Sequence, residues 1–225
     1  MKGKVFSALA LAAVLFSALA GCLSAPVPSS IKQLQSVEVR EYQGKNLSSI
    51  ADFRENSIHG PQHVDIDTYR LKIDGLVKQP TSLTYDDVLM DNTKYQKVVT
   101  LNCVEGWSAT LLWEGVLVKD LIDKAGGADP KAKVVIFHAY DGYVTSLPLQ
   151  YVMDRNLILA YKMNDVVLPP ERGYPFELVA EDKWGYKWIK WVTEIQLSDD
   201  LSFRGYWEGA GYSNDADINQ PFFER

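Results

Sequence analysis

From Val5 to Ala20 the chain is almost unbroken apolar sequence, preceded by Lys2 and Lys4 and ending in Leu19-Ala20-Gly21-Cys22. This is the pattern of an export signal with a lipoprotein processing cysteine. The run is shorter than the ~20 residues a bilayer-spanning helix needs. Residues 1–21 are therefore expected to be a signal peptide and Cys22 the lipidated first residue of the mature protein. Residues 22–36, with Pro26, Pro28, Ser24, Ser29 and Ser30, are expected to form a flexible tether. The other reading of the apolar run is an uncleaved anchor helix. Either reading places residues 37–225, one domain's worth of chain, outside the cytoplasm at a membrane surface.

Within that domain the pattern changes to short alternating segments. Tyr69, Leu71 and Ile73 alternate with polar residues before Asp74-Gly75, which predicts a strand and a turn. Thr84 caps a short helix over 85–90, with Asp86 and Asp87 in its first turn. Residues 97–103 predict a strand that delivers Cys103 to its end, with loop-like residues following at once. Residues 118–125 carry apolar positions at helical spacing and stop at Gly126-Gly127. Strands are expected over 133–139 and 143–147 about Asp141-Gly142, and Pro148 opens a helix through Met153. A strand pair over 157–162 and 166–168 about Asn164-Asp165 follows, then strands over 176–180 and 191–197. Many short strands with few short helices predict an α+β fold. The aromatic stretch from Tyr206 to Phe223 is too apolar to stay in water and is expected to pack on the body.

Charge narrows the partners. Without Lys2 and Lys4 the balance is 21 basic to 29 acidic residues, a net charge of −8. This balance argues against nucleic acid as a partner, because phosphate binding needs clustered Lys and Arg, though it leaves room for a local basic pocket.

Without Cys22, one cysteine remains, in Leu101-Asn102-Cys103-Val104-Glu105-Gly106-Trp107-Ser108. Three readings of Cys103 are open. It can be an inert buried residue, or a nucleophile served by His59, His63 or His138. It can also be a single thiolate ligand to a metal that arrives already chelated. One cysteine and three scattered histidines do not make a zinc site.

The octapeptide, followed by Trp113-Glu114-Gly115-Val116, resembles the molybdenum-binding segment of the sulfite oxidase family. A second block comprises Asp141-Gly142-Tyr143, Ser146-Leu147-Pro148-Leu149, Met163-Asn164-Asp165 and Leu168-Pro169-Pro170-Glu171-Arg172-Gly173-Tyr174-Pro175. A third, Gly185-Tyr186-Lys187-Trp188-Ile189-Lys190-Trp191, completes the family order. The small single-domain members, similar to the catalytic subunit of periplasmic methionine sulfoxide reductase, match best. Ordered blocks across residues 50–197 are more specific than any one motif.

The resemblance implies a sulfite oxidase-type fold and a molybdenum–molybdopterin cofactor with Cys103 as the metal ligand. It implies Trp107 as a wall of the substrate pocket, and Asn56, Ser57 and Ile58 as pterin contacts. The backbone of Trp188 and Ile189 with Lys190 would form the phosphate turn, and Arg172 would offer its fork of donors to a phosphate. Two features depart from the family: Glu177 stands where many relatives carry arginine, and the leader has no twin arginine. The implied function is a lipid-anchored, extracytoplasmic oxidoreductase coupling oxygen-atom transfer to two-electron redox. Few arginines are available for an anion, with Arg155 and Arg172 the ones in reach, so S-oxide or N-oxide reduction is favoured over sulfite oxidation. Its partners would be a small oxo-donor or oxo-acceptor substrate and a haem- or quinone-linked electron carrier. The alternative is a non-catalytic lipoprotein that keeps the fold and binds a ligand or protein.

Overall fold

The computed structural model describes residues 27–224. The expected signal peptide, Cys22 and the first residues of the tether lie outside the described residues. The tether's second half is corrected: Ser29–Leu34 is a helix, α1, with Ile31 only 1% exposed. Ile31 joins the main core, and Ser30 Oγ donates to Glu171 Oε1 at 2.9 Å. An apolar residue seated in the core outweighs the local preference of a Pro/Ser stretch for open chain.

The chain continues through a small hairpin, β1 (Glu41–Tyr42) and β2 (Lys45–Asn46), then β3 (Leu71–Gly75), β4 (Thr81–Leu83) and α2 (Tyr85–Met90). The two longest strands follow, β5 (Lys94–Asn102) and β6 (Ser108–Leu117), then α3 (Val118–Lys124), β7 (Val134–Ala139), β8 (Val144–Pro148) and α4 (Leu149–Asp154). The remainder is β9 (Ile158–Met163), β10 (Val166–Val167), β11 (Glu177–Val179), β12 (Val192–Ser198) and α5 (Tyr206–Gly209). Short 3-10 turns occupy Pro170–Arg172 and Gly185–Lys187. No helix among the described residues is long and apolar enough to cross a membrane.

Two five-stranded sheets make the α+β architecture. One runs β10-β9-β6-β5, with β11 also on β9, and is antiparallel throughout. The other runs β4-β3-β12-β7-β8, and its β3–β12 pair is parallel. Their apolar faces join in one core with α3 and α4, where Trp113, Phe137, Phe176, Val192 and Ile195 are all sealed from solvent.

Several predicted elements form for the predicted reason. Thr84 and Asp87 close a reciprocal capping box on α2, satisfying backbone donors that a bare helix end leaves open. Gly126 and Gly127 have φ of +77° and +83° and terminate α3. Asn164 and Asp165 both take positive φ in the turn between β9 and β10, as such a two-residue hairpin requires. The loop expected after Cys103 is present over residues 104–107, but one strand lies outside the predicted set: β6 starts at Ser108 and is the longest among the described residues.

Candidate functional site

Cys103 sits in the connection between β5 and β6, whose register runs unbroken from Lys94–Val116 to Asn102–Ser108. The Cys103 amide donates to the Trp107 carbonyl at 2.9 Å, and the Gly106 amide donates back to the Cys103 carbonyl at 3.1 Å. Gly106 has φ +86°, the left-handed residue that lets so tight a connection close. The thiol thus sits in the connection at the tip of the longest hairpin among the described residues.

Around it lies a cavity of about 400 Å³, a size suited to a cofactor or small ligand. Every residue expected at the cofactor site lines it: Asn56, Ser57, Ile58, Cys103, Trp107, Arg172, Trp188, Ile189 and Lys190. Residues up to 134 positions apart in sequence therefore converge on one space.

The details adjust the roles. Asn56 Nδ2 donates to Cys103 Sγ at 3.6 Å, so its amide already serves the sulfur. Burial pushes the Cys103 thiol above its ordinary pKa, with the Glu105 charge adding to the rise and hydrogen bonds from the Glu105 backbone and Asn56 opposing it. None of His59, His63 or His138 lines the cavity. His59 Nδ1 bonds the Asp141 carbonyl at 2.9 Å, and His138 Nε2 faces Gln196 at 3.2 Å. With a raised thiol pKa and no histidine base among the lining residues, the nucleophile reading is discarded.

Arg172 is buried, and its Nε and Nη2 donate to the Ile50 carbonyl at 3.0 and 2.8 Å, with Nη2 also reaching the Phe53 carbonyl at 2.7 Å. Its guanidinium lies 3.9 Å from the Phe53 ring centroid. The expected open fork for a phosphate is corrected, because most of it clamps the segment that leads to Asn56. Burial pulls the Arg172 pKa down to about 10, against the opposing pull of Glu177, Glu55 and Glu171. Arg155 pairs with Asp182 at 2.6 Å and does not reach the cavity.

Lys190 Nζ bonds Glu55 Oε1 at 2.5 Å and sits over the Trp191 ring at 4.5 Å. Burial lowers its pKa, with Glu55 and Glu177 opposing. Glu177 heads β11, lines the same end, and is raised from 4.5 to about 8 by burial, against the pull of Lys190 and Arg172. It points into the cavity rather than away from it.

The turn carrying Trp188 and Ile189 is anchored from the core. Trp188 packs on Trp113 at 5.6 Å, and its indole donates to the Lys183 carbonyl at 3.0 Å. Gly185 comes so close to Cys103 that an added Cβ would lie 3.5 Å from Cys103 Cα. On the other side Trp107 packs against Phe53 at 5.6 Å and donates to Glu105 Oε2 at 3.1 Å.

The residues fit a pterin cofactor. Ser57 Oγ is buried in the wall with no partner, leaving a hydrogen bond for a polar ring, and Cys103 offers one soft sulfur to a metal. Among the described residues no group of three His, Cys, Asp or Glu side chains forms a metal site, so a metal here must bring ligands with it. Residues that sequence reasoning missed include Glu55, Trp207 and Tyr212. Only the apolar tail gave a signal for the last two.

Residues 59–207 match the family described as oxidoreductase molybdopterin binding domain. The chain is 35% identical over 153 residues to the uncharacterized oxidoreductase YuiH of Bacillus subtilis, covering 68% of this chain and 76% of that protein. It is 32% identical over 152 residues to a putative protein-methionine-sulfoxide reductase subunit, YedZ1, of Azospira oryzae, covering 68% of this chain but 57% of that one. With the methionine-sulfoxide reductase catalytic subunit MsrP of Gluconobacter oxydans it shares 30% over 148 residues, covering 58% of this chain and 47% of that one. The crystal structure of the sulfane dehydrogenase SoxCD from Paracoccus pantotrophus shares the fold, at a TM-score of 0.62 and 22% identity over 85% of this chain and 56% of that one. The chain belongs to the oxidoreductase molybdopterin-binding domain family, with the sulfite oxidase-type fold, and is a molybdenum–molybdopterin-dependent enzyme.

Proposed function

We propose that this protein is an S-oxide reductase, held by lipid at Cys22 on the outer side of the cell membrane. The observation that carries the direction of reaction is the state of the cavity's cations. Those lining it are Arg54, Arg172 and Lys190. Arg172 is spent on the Ile50 and Phe53 carbonyls and Lys190 on Glu55. An anion such as sulfite would meet one exposed arginine beside the Glu105 carboxylate, whereas a neutral S-oxide needs no cation. Two relatives carry methionine-sulfoxide reductase in their names, which agrees with this reading.

When bound, the molybdenum centre supplies two-electron oxygen-atom transfer. Cys103 would hold the metal, which would keep the sulfur as thiolate with Asn56 donating to it, and Ser57 and Ile58 would take the pterin. The backbone of Trp188 and Ile189 would take the phosphate, with Lys190 beside it in its pair with Glu55. The overall change is balanced: the S–O bond breaks, two electrons and two protons enter, and sulfide and water leave. A haem- or quinone-linked carrier in the membrane would deliver the electrons.

Mature protein from its native host should contain molybdenum and pterin at about one per chain, and should reduce organic sulfoxides with reduced viologen while failing to oxidise sulfite. Sulfite oxidation without sulfoxide reduction would reverse the assignment. Cys103→Ser should abolish turnover and change the spectrum of the molybdenum centre. Normal turnover in that variant would remove Cys103 as the ligand.

A further inference from the structure

Part of the cavity wall comes from the C-terminal segment, where Trp207 and Tyr212 both line the space. Tyr212 lies beyond the 59–207 match, so family membership does not assign it. Several contacts hold this segment. Glu208 is buried, accepts from Thr145 Oγ1 at 2.5 Å and takes a further hydrogen bond from buried Lys187 Nζ. Gly205 lies so close to Val144 and Thr145 that any Cβ there would collide with their backbone. The Tyr212 amide donates to the Trp207 carbonyl at 3.1 Å.

The rings form a tilted aromatic cluster, with the Trp207 and Tyr212 planes 54° apart. Trp207 and Tyr212 lie 5.3 Å apart, and Tyr212 meets Tyr186 edge-on at 5.1 Å. Tyr186 follows Gly185, the residue pressed against Cys103. Gly185 borders the Cys103 backbone and Tyr186 borders this cluster, so both lie along one side of the cavity, with Trp107 also bordering it. Flat aromatic faces reward a flat apolar partner by buried area and ring contacts. They give nothing to a small anion.

We infer that Trp207 and Tyr212 determine specificity, selecting neutral S-oxides that carry an aryl or other flat apolar substituent. The substituent lies on these rings while the sulfinyl oxygen faces the Cys103 side. The inference rests on the proposed S-oxide reduction, yet it is tested by binding as well as by turnover.

The experiment titrates methyl phenyl sulfoxide and dimethyl sulfoxide into the cofactor-loaded protein by calorimetry and follows viologen-driven reduction of each. Trp207→Ala and Tyr212→Ala should each weaken binding of the aryl sulfoxide about tenfold or more and raise its KM, with kcat held. Dimethyl sulfoxide kinetics should stay within about threefold, because that ligand is too small to use the wall. Trp207→Leu, which keeps an apolar side chain and loses the ring, should show the same selective loss in a folded protein. Tyr140→Ala, at an exposed tyrosine outside the cavity, should change nothing. Parallel loss of both ligands, or a wild type that prefers dimethyl sulfoxide, overturns the wall. Selective aryl binding without reduction of either sulfoxide leaves the wall standing and overturns the reductase reading.

Discussion

Glu177 fixes the charge at the cofactor end of the cavity. It is a carboxyl buried at the head of β11 with Arg172 and Lys190 for neighbours, and burial outweighs both cations in lifting its pKa from 4.5 to about 8. An acid whose folded pKa is raised binds more protons folded than unfolded between those two values. Stability must therefore fall as pH climbs from about 4.5 to about 8 and level off beyond. Glu177→Gln should flatten that slope and raise the melting temperature of the cofactor-free protein at pH 8. Melts of both proteins across that range check it, and an unchanged slope would mean that the carboxyl is ionised throughout. Glu177 was visible in the sequence as a departure from the family. Arg172 was visible too, but not its role, because its carbonyl partners Ile50 and Phe53 lie 122 and 119 residues away. Sequence proximity carries no trace of such a bond.

The β5–β6 hairpin carries the chemistry, and its second strand escaped the sequence reading. Residues 108–117 are buried on both faces over much of their length, so they lack the alternation that marks a half-exposed strand. The hairpin glycine Gly106 was the available signal, and it was absorbed into the motif around Cys103. Elements with local causes were legible, as with Thr84 and Asp87 capping α2 or Gly126-Gly127 ending α3. Helix α1 was not, because Ile31 is helical on account of a core assembled from the rest of the chain. Within β6, Gly115 marks the shift in register against β9, and a Cβ there would be driven into the Leu159 backbone. Gly115→Ala should therefore cost about 1–3 kcal/mol, read as a lower urea midpoint at constant slope. It should also weaken molybdenum retention, since β6 holds one arm of the Cys103 connection. A midpoint equal to wild type would show that the strand shifts freely at this point.

At the scale of the whole molecule, one buried ion pair joins the two halves of the cavity. Lys187 belongs to the turn that leads into Trp188, Ile189 and Lys190, whereas Glu208 belongs to the segment that supplies Trp207 and Tyr212. Both side chains are fully sealed from solvent, and Lys187 also donates to the Ser146 carbonyl at 2.9 Å. Burial lowers the Lys187 pKa, and Glu208 is what opposes that fall. Such a pair adds little net stability over apolar residues of the same shape, but removing one partner strands a charge in the core. Glu208→Gln should then destabilise the protein by on the order of 3 kcal/mol. It should also loosen the C-terminal segment to proteolysis around Trp207 and lower cofactor retention, because Lys187 loses the contact that fixes its turn. Combining it with Lys187→Met removes the stranded charge and should restore most of the stability. It should not restore selectivity for an aryl sulfoxide, since the aromatic wall is no longer tied to the turn beside Cys103. Urea unfolding, limited proteolysis and binding of the two sulfoxides to the single and double variants separate these effects. If the double variant recovers stability and aryl selectivity together, the pair serves folding alone, and the wall is held by the packing of Gly205 against β8.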